Sequence, residues 1–308
     1  MENIFLYILK LVVIGAILFG YYNLFLKNRK HNQVNRLYLL LFFPLSLLLP
    51  LVHPAFIQWD LPGQSLHVTE GGWLPVAAKI CVAIYFCVAV NLVFIVTKNI
   101  RDVLQLRSES VVQQEKHFWF IETSDDRAPF SFFNSLFWKK GVDRKSENGA
   151  KIFKHEMVHI KQHHSYDRLA SQLICATFWM NPFFWWAQRE LGTVHEFLAD
   201  ERSFGPDETH EFARTLLSSY SGGRYLNQHM GFSKSDIERR IQMIGRSKQK
   251  SSWMIVAKKT TVLLVFFVLI LVANSYTNYR PPTADDLKKV EAFEKKLRDE
   301  RSHLGQTP

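Results

Sequence analysis

Cysteine is scarce: the chain holds 3 in 308 residues, and no two stand in a C-x-x-C spacing. Cys81, Cys87 and Cys175 each sit in an apolar stretch. They read as buried small hydrophobes, which excludes a disulfide framework and a thiolate zinc cluster. Internal repeats are missing too, as are helix-turn-helix, zinc-finger and RNA-binding signatures. The net charge of +10 therefore does not point to nucleic acid. The first apolar run, 4–26, ends without the small-residue site at which a signal peptide is cut, so it is expected to stay on as a membrane span. Between 53 and 73 there is no Lys or Arg at all.

Long apolar runs are what the chain has in abundance. Residues 4–26, roughly 37–57, 74–97 and 260–279 each match the ~20 helical residues that cross a bilayer. Lys27, Arg29, Lys30 and Arg36 lie between the first two runs, Lys98 and Arg101 follow the third, and Lys258 and Lys259 precede the fourth. These basic residues meet anionic headgroups and orient the chain. Positive charge stays inside, so both termini are expected outside the cell membrane and residues 98–258 in the cytoplasm.

Within the cytoplasmic segment, 98–116 is expected to continue the third span as a helix. The aromatic stretches 117–123 and 129–138 read as strands around the turn-like 124–128. A helix is expected from near Ala150. Residues 168–188 are apolar enough for a fifth span, but one crossing would put Lys258 and Lys259 on the wrong side, and Asn181-Pro182 interrupts the run. It reads as a helix–turn–helix that lies on the bilayer face or dips in and returns.

The chemistry concentrates in "KHEMVHIKQHH", residues 154–164. His155 and His159 are four apart on a helix, so their imidazoles project from one face toward one metal ion. Glu156 sits beside the pair, where it reaches a water rather than the ion. Zinc lowers the pKa of a bound water to about 7, which lets a carboxylate take its proton. A catalytic zinc needs a third protein ligand. His163 and His164 fail, since a straight helix carries them another turn along the axis. Gln162 and Ser165 stand where the three-histidine variant of the motif needs Gly and His. "VHEFLADERSF", 194–204, offers Glu196 and Asp200 at i and i+4, one carboxylate for the ion and one to orient a ligand histidine. Glu190 and Glu201 are the alternative ligands, and a solvated acidic face is the plain structural reading of the same stretch.

Several spaced motifs carry a resemblance. "APFSFF" (128–133), "HEMVH", "NPFFWW", "HEFLAD" and "FSKSDIERRIQMI" (232–244) resemble, in that order, the BlaR/MecR-type membrane zinc peptidases of bacteria. The resemblance spans most of 98–275. It implies an α-helical integral membrane protein of four spans with a cytoplasmic zincin-like (gluzincin) α+β metallopeptidase domain. The expected division is three spans in 1–97, the peptidase domain in 98–258, the fourth span in 259–280 and a short external tail in 281–308. His155, His159 and Glu196 would hold Zn2+, Glu156 would be the general base, and Asp200 would support a ligand. The antibiotic receptors of that family sense beta-lactams through a large external domain after the last span. Here about 30 residues follow it, so the resemblance carries over the fold and the peptidase chemistry and not the sensing.

The function implied is an endopeptidase acting on cytosolic protein segments in regulatory signalling, cleaving a repressor or the protein itself. The expected partners are that protein substrate, the lipid bilayer and, as one assembly, a second copy of the chain, with no direct nucleic acid. Ser131 and Phe133, in the strand ahead of the metal helix, are the candidates for docking substrate backbone. In the tail, Thr283 can cap a helix with a Leu287, Val290, Phe293, Leu297 stripe. A non-catalytic signalling scaffold with the same fold is the competing reading, and retention of Glu156 argues against it. A transporter is disfavoured because the spans lack paired charges and matching broken helices. The topology is testable with fused reporters: fusions after 140 and after 220 should score as cytoplasmic and one at 308 as external. A change of side between 140 and 220 would mean that 168–188 crosses once and parts Glu196 from the histidines.

Overall fold

The computed structural model describes residues 2–29, 31–51, 74–204 and 234–245, all within one compact unit. The expected fourth span, the 53–73 loop and the tail lie outside the described residues. Helix α1 (Glu2–Tyr21) runs on through a π-helical turn, Tyr22–Leu26, and α2 (Asn32–Leu48) ends in a short 3-10 turn. Helix α3 spans Leu74–Ser108. These are the three helices among the described residues long and apolar enough to cross a membrane, and they suggest a membrane protein. α3 hides little of its apolar surface, and Cys81 and Cys87 are exposed on it, so only Cys175 is the buried hydrophobe expected of all three.

Residues 111–114 do not continue α3. The helix stops at Ser108, and Val111–Gln114 forms strand β1 of a four-stranded sheet with β2 (Trp119–Thr123), β3 (Phe130–Phe132) and β4 (Ser135–Lys139). The strand order is β1-β2-β4-β3, with β2 and β4 parallel and both outer pairs antiparallel. The expected single strand over 129–138 is thus a hairpin, folded at Phe133-Asn134 with Phe133 at φ 49°. A two-residue loop makes Phe132–Ser135 the hydrogen-bonded closing pair. Ser131–Leu136 is then the open pair, and both backbone groups of Ser131 point away from β4. Among the described residues, β3 has no strand on its outer side.

Helix α4 (Glu147–Lys161) starts where Ser146 Oγ accepts the Gly149 N–H at 3.1 Å, three residues earlier than Ala150. It lays Ile152, Phe153, Met157 and Ile160 on the face of the sheet formed by Phe120, Leu136 and Trp138. α4 ends at Lys161, His163 turns the chain at φ 58°, and α5 (His164–Thr177) begins at once. A four-residue turn leads to α6 (Pro182–Ser203), where Asn181 Oδ1 accepts the Phe183 N–H at 3.0 Å and Pro182 takes the first position, which needs no donor. Helix α7 covers Lys234–Gly245.

α5 and α6 form a hairpin that returns the chain to α4. Its turn is tied to the middle of α1, where Asn181 Nδ2 donates to the Leu11 carbonyl at 3.4 Å. Leu11 lies ~22 Å along the axis from Leu26 at 1.5 Å per residue. Phe184, Ala187 and Leu191 of α6 share one core with Leu11, Phe19 and Tyr22 and with Leu39, Phe42 and Phe43 of α2. Within the turn, Asn181 is buried. α6 then runs on, so its second half returns Glu196 to the level of α4.

Gly15 permits this seating. A Cβ there would stand 3.2 Å from Asn181 Nδ2 and 3.4 Å from Phe183 Cβ, whereas one at Gly20 would meet nothing within 4 Å. Gly15→Leu should force the turn off α1 and lower the melting temperature of the detergent-solubilised protein by several degrees, as overpacking costs about 1–3 kcal/mol. Gly20→Leu should leave it unchanged. Equal melting of the two variants would show that the hairpin is not held there.

Candidate metal centre

His155 and His159 leave α4 from adjacent turns, with their Nε2 atoms 3.3 Å apart. Glu196 approaches from α6, Oε2 at 3.5 Å from His155 Nε2 and Oε1 at 3.7 Å from His159 Nε2. Tetrahedral bonds of ~2.0–2.1 Å place donors ~3.3 Å apart, so these spacings fit a zinc-sized ion. The chemistry fits as well. Two imidazole nitrogens facing each other repel unless a proton or a cation lies between them. His155, His159 and Glu196 are the only group of three such donors among the described residues able to hold a metal ion. The arrangement supports a metal site.

Electrostatics separate the two histidines. Burial disfavours charge on His155, but the Asp200 and Glu196 carboxylates outweigh it and raise its pKa to about 10. An ion entering the site would displace that proton. Burial holds His159 well below the ordinary histidine range, leaving it neutral with a lone pair to give. Burial alone would raise Glu196, yet the Arg240 guanidinium and both histidines drive it well below the carboxylate range. Glu156 is raised by burial, with the Ser131 hydroxyl beside it favouring the charged form. It stands outside the donor triangle.

Each donor is braced from behind. Asp200 Oδ1 lies 3.2 Å from His155 Nδ1, and the two Asp200 oxygens accept Arg240 Nη2 and Nε at 2.6 and 2.7 Å. Arg240 Nη1 also reaches Glu196 at 3.2 Å. His164 Nδ1 meets His159 Nδ1 at 3.0 Å, and its ring stacks on His195 at 4.1 Å. With His159 Nε2 turned to the ion, His159 Nδ1 carries the proton and His164 Nδ1 accepts it. His195 Nε2 sits 3.0 Å from Asp167, which Arg36 of α2 pairs at 2.7 Å while also donating to the Gln162 carbonyl at 2.6 Å.

His164 and Arg240 were missed as site residues. His164 is not among the donors, but the straight-helix argument against it does not hold. The chain breaks at Gln162-His163, and that break folds His164 back against His159. Arg240 lies in a motif that carried no chemistry of its own in the sequence. The alternative ligands are elsewhere: Glu190 pairs with Lys27 and Arg239, both at 2.8 Å, and Glu201 accepts from Asn32. Ser131 is on β3. Phe133 is in the hairpin turn instead of the strand, its N–H donating to Ser165 Oγ at 2.9 Å.

An apolar helical frame with a His-Glu-x-x-His pair and a third carboxylate from a second helix is an arrangement that could hold a metal ion. Residues 143–244 match the family described as BlaR1 peptidase M56, a stretch that begins just ahead of α4 and ends within α7. Over that third of the chain the sequence is similar to the BlaR1-type peptidases of the M56 family. No curated protein matches the chain.

Purified protein should carry about one zinc per chain, with His155→Ala, His159→Ala and Glu196→Ala each removing it. Asp200→Ala and His164→Ala remove orientation only and should weaken zinc about 10–100-fold. The exposed His163→Ala should not. Zinc titration of the apo forms measures all six, and full affinity in Glu196→Ala would move the third ligand elsewhere.

Proposed function

We propose that this protein is an integral-membrane zinc endopeptidase of the gluzincin type that cuts cytosolic protein segments within a regulatory pathway, a repressor or the protein itself being the substrate class. In this reading 1–97 and 259–280 hold four spans of the cell membrane, both ends lie outside, 98–258 is the catalytic domain, and a second copy of the chain is a possible assembly partner. One observation carries it. A carboxylate excluded from the donor triangle, Glu156, acts electrostatically on His155 and Glu196 of that triangle and is hydrogen-bonded by the Ser131 hydroxyl of β3, the outer strand of the sheet.

Zinc held by His155, His159 and Glu196 would supply Lewis acidity to the scissile carbonyl. The protein's own residues do the rest. The outward N–H and C=O of Ser131 offer an extended peptide two main-chain hydrogen bonds, adding it to the sheet as a further strand. That strand would run past Glu156, whose raised pKa suits a base that takes a proton from water and later returns it to the leaving amine. Asp200 and His164 keep the two imidazoles from turning away.

Glu156→Gln preserves size but cannot accept a proton, so zinc should remain while cleavage stops. Unchanged cellular signalling in that variant would favour the scaffold reading. Ser131→Pro removes an outward donor and should abolish cleavage with zinc still bound, whereas Ser131→Ala keeps the donor and should retain most activity. Normal cleavage by Ser131→Pro would exclude β3 as the docking edge.

A further inference from the structure

Arg168 is the cation of the metal centre that the donors and their braces leave over. It lies on α5 one turn beyond His164, whose ring meets His159, and helical side chains lean toward the N-terminus, the side on which His164 lies. Its charge acts on both Glu156 and Glu196 and on His159. Yet Arg168 Nε is buried without any hydrogen-bond partner. Arg240, by contrast, is committed to Asp200 and Glu196. Burying a guanidinium nitrogen without a partner is costly, because arginine cannot shed its proton. Such a group is kept where an anion appears only transiently.

Resting on the peptidase reading above, we propose that Arg168 is the catalytic residue that receives the oxyanion formed during peptide hydrolysis. Water oxygen bonds to the scissile carbonyl carbon, the carbonyl π pair moves onto its oxygen, and the water proton passes to Glu156. Arg168 N–H groups donate to the resulting anion. The pair then returns to re-form the carbonyl as the C–N bond breaks, and Glu156 gives its proton to the departing nitrogen. Preformed donors aimed at developing charge need no reorganisation when the reaction occurs, and removing one costs about 10²–10³ in kcat.

The test uses full-length zinc-loaded protein in micelles, with fluorescein-labelled casein as substrate and two peptide inhibitors. The first is a phosphinic peptide that presents a tetrahedral anion, and the second is a small hydroxamate that takes only the metal. Arg168→Gln should keep its zinc and lose about 10²–10³ in kcat with KM within about threefold. Phosphinate affinity should fall in parallel and hydroxamate affinity stay constant. Arg168→Lys, a point charge without the planar fork, should recover part of both losses. Arg168→Met, which keeps the aliphatic stem, replaces the Gln variant if that one does not fold. Normal kcat or unchanged phosphinate affinity in a folded variant overturns the assignment, and so does loss of zinc with the guanidinium. Wild-type protein that neither cleaves casein in a Glu156-dependent way nor binds the phosphinate overturns the peptidase reading itself.

Discussion

Every residue of α6 from Glu190 to Asp200 is buried, and Glu190, His195, Glu196 and Asp200 are ionisable. A helix enclosed on all sides cannot turn a charge toward water, so each of these groups needs a partner from a neighbouring element. Glu190 finds Lys27 from the loop after α1 and Arg239 from α7. His195 finds Asp167 on α5, and Asp200 finds Arg240 on α7. Glu196 faces the two histidines of α4. The four pairings fix the rotation and height of α6 at once. Slipping the helix by one residue would leave several buried charges unpaired, at a few kcal/mol each.

That constraint links the apolar helices to the candidate metal centre. The first half of α6 packs on α1 and α2 through Phe184, Ala187 and Leu191, and its second half carries Glu196 and Asp200. One continuous helix therefore transmits the position of the apolar frame to the donor triangle. Arg36 makes a second link, since it leaves α2 and holds both Asp167 and the Gln162 carbonyl at the break between α4 and α5. The candidate metal centre is thus built directly on the apolar helices α1 and α2.

Much of this was legible in the chain. The apolar runs, the i, i+4 histidines, Asn181-Pro182 as a helix boundary and the i, i+4 pair Glu196–Asp200 are local patterns, set by helix geometry and backbone chemistry. The three cysteines were legible only in part: their isolation excluded pairing, but burial depends on neighbours, and α3 offers Cys81 and Cys87 none. The hairpin within 129–138 was hidden because its turn uses Phe133 and Asn134, without the glycine that normally marks a left-handed position. β1 was hidden because "VVQQ" follows a helix with no Gly or Pro to end it, and its strand character comes from pairing with β2.

The sequence by itself determined which residues could bind a metal and that the chain would hold helices long and apolar enough to cross a membrane. Those properties follow from side-chain type at a fixed helical spacing and from apolar length. Tertiary structure decided which carboxylate meets the histidines, why Glu190 and Glu201 do not, and what His164, Arg240 and Arg168 face. These outcomes turn on the angle at Gln162-His163, the depth of the Asn181 turn against Gly15 and the packing of α7 on α6. They are set by contacts between residues far apart in the chain, and such contacts leave no local periodicity to read.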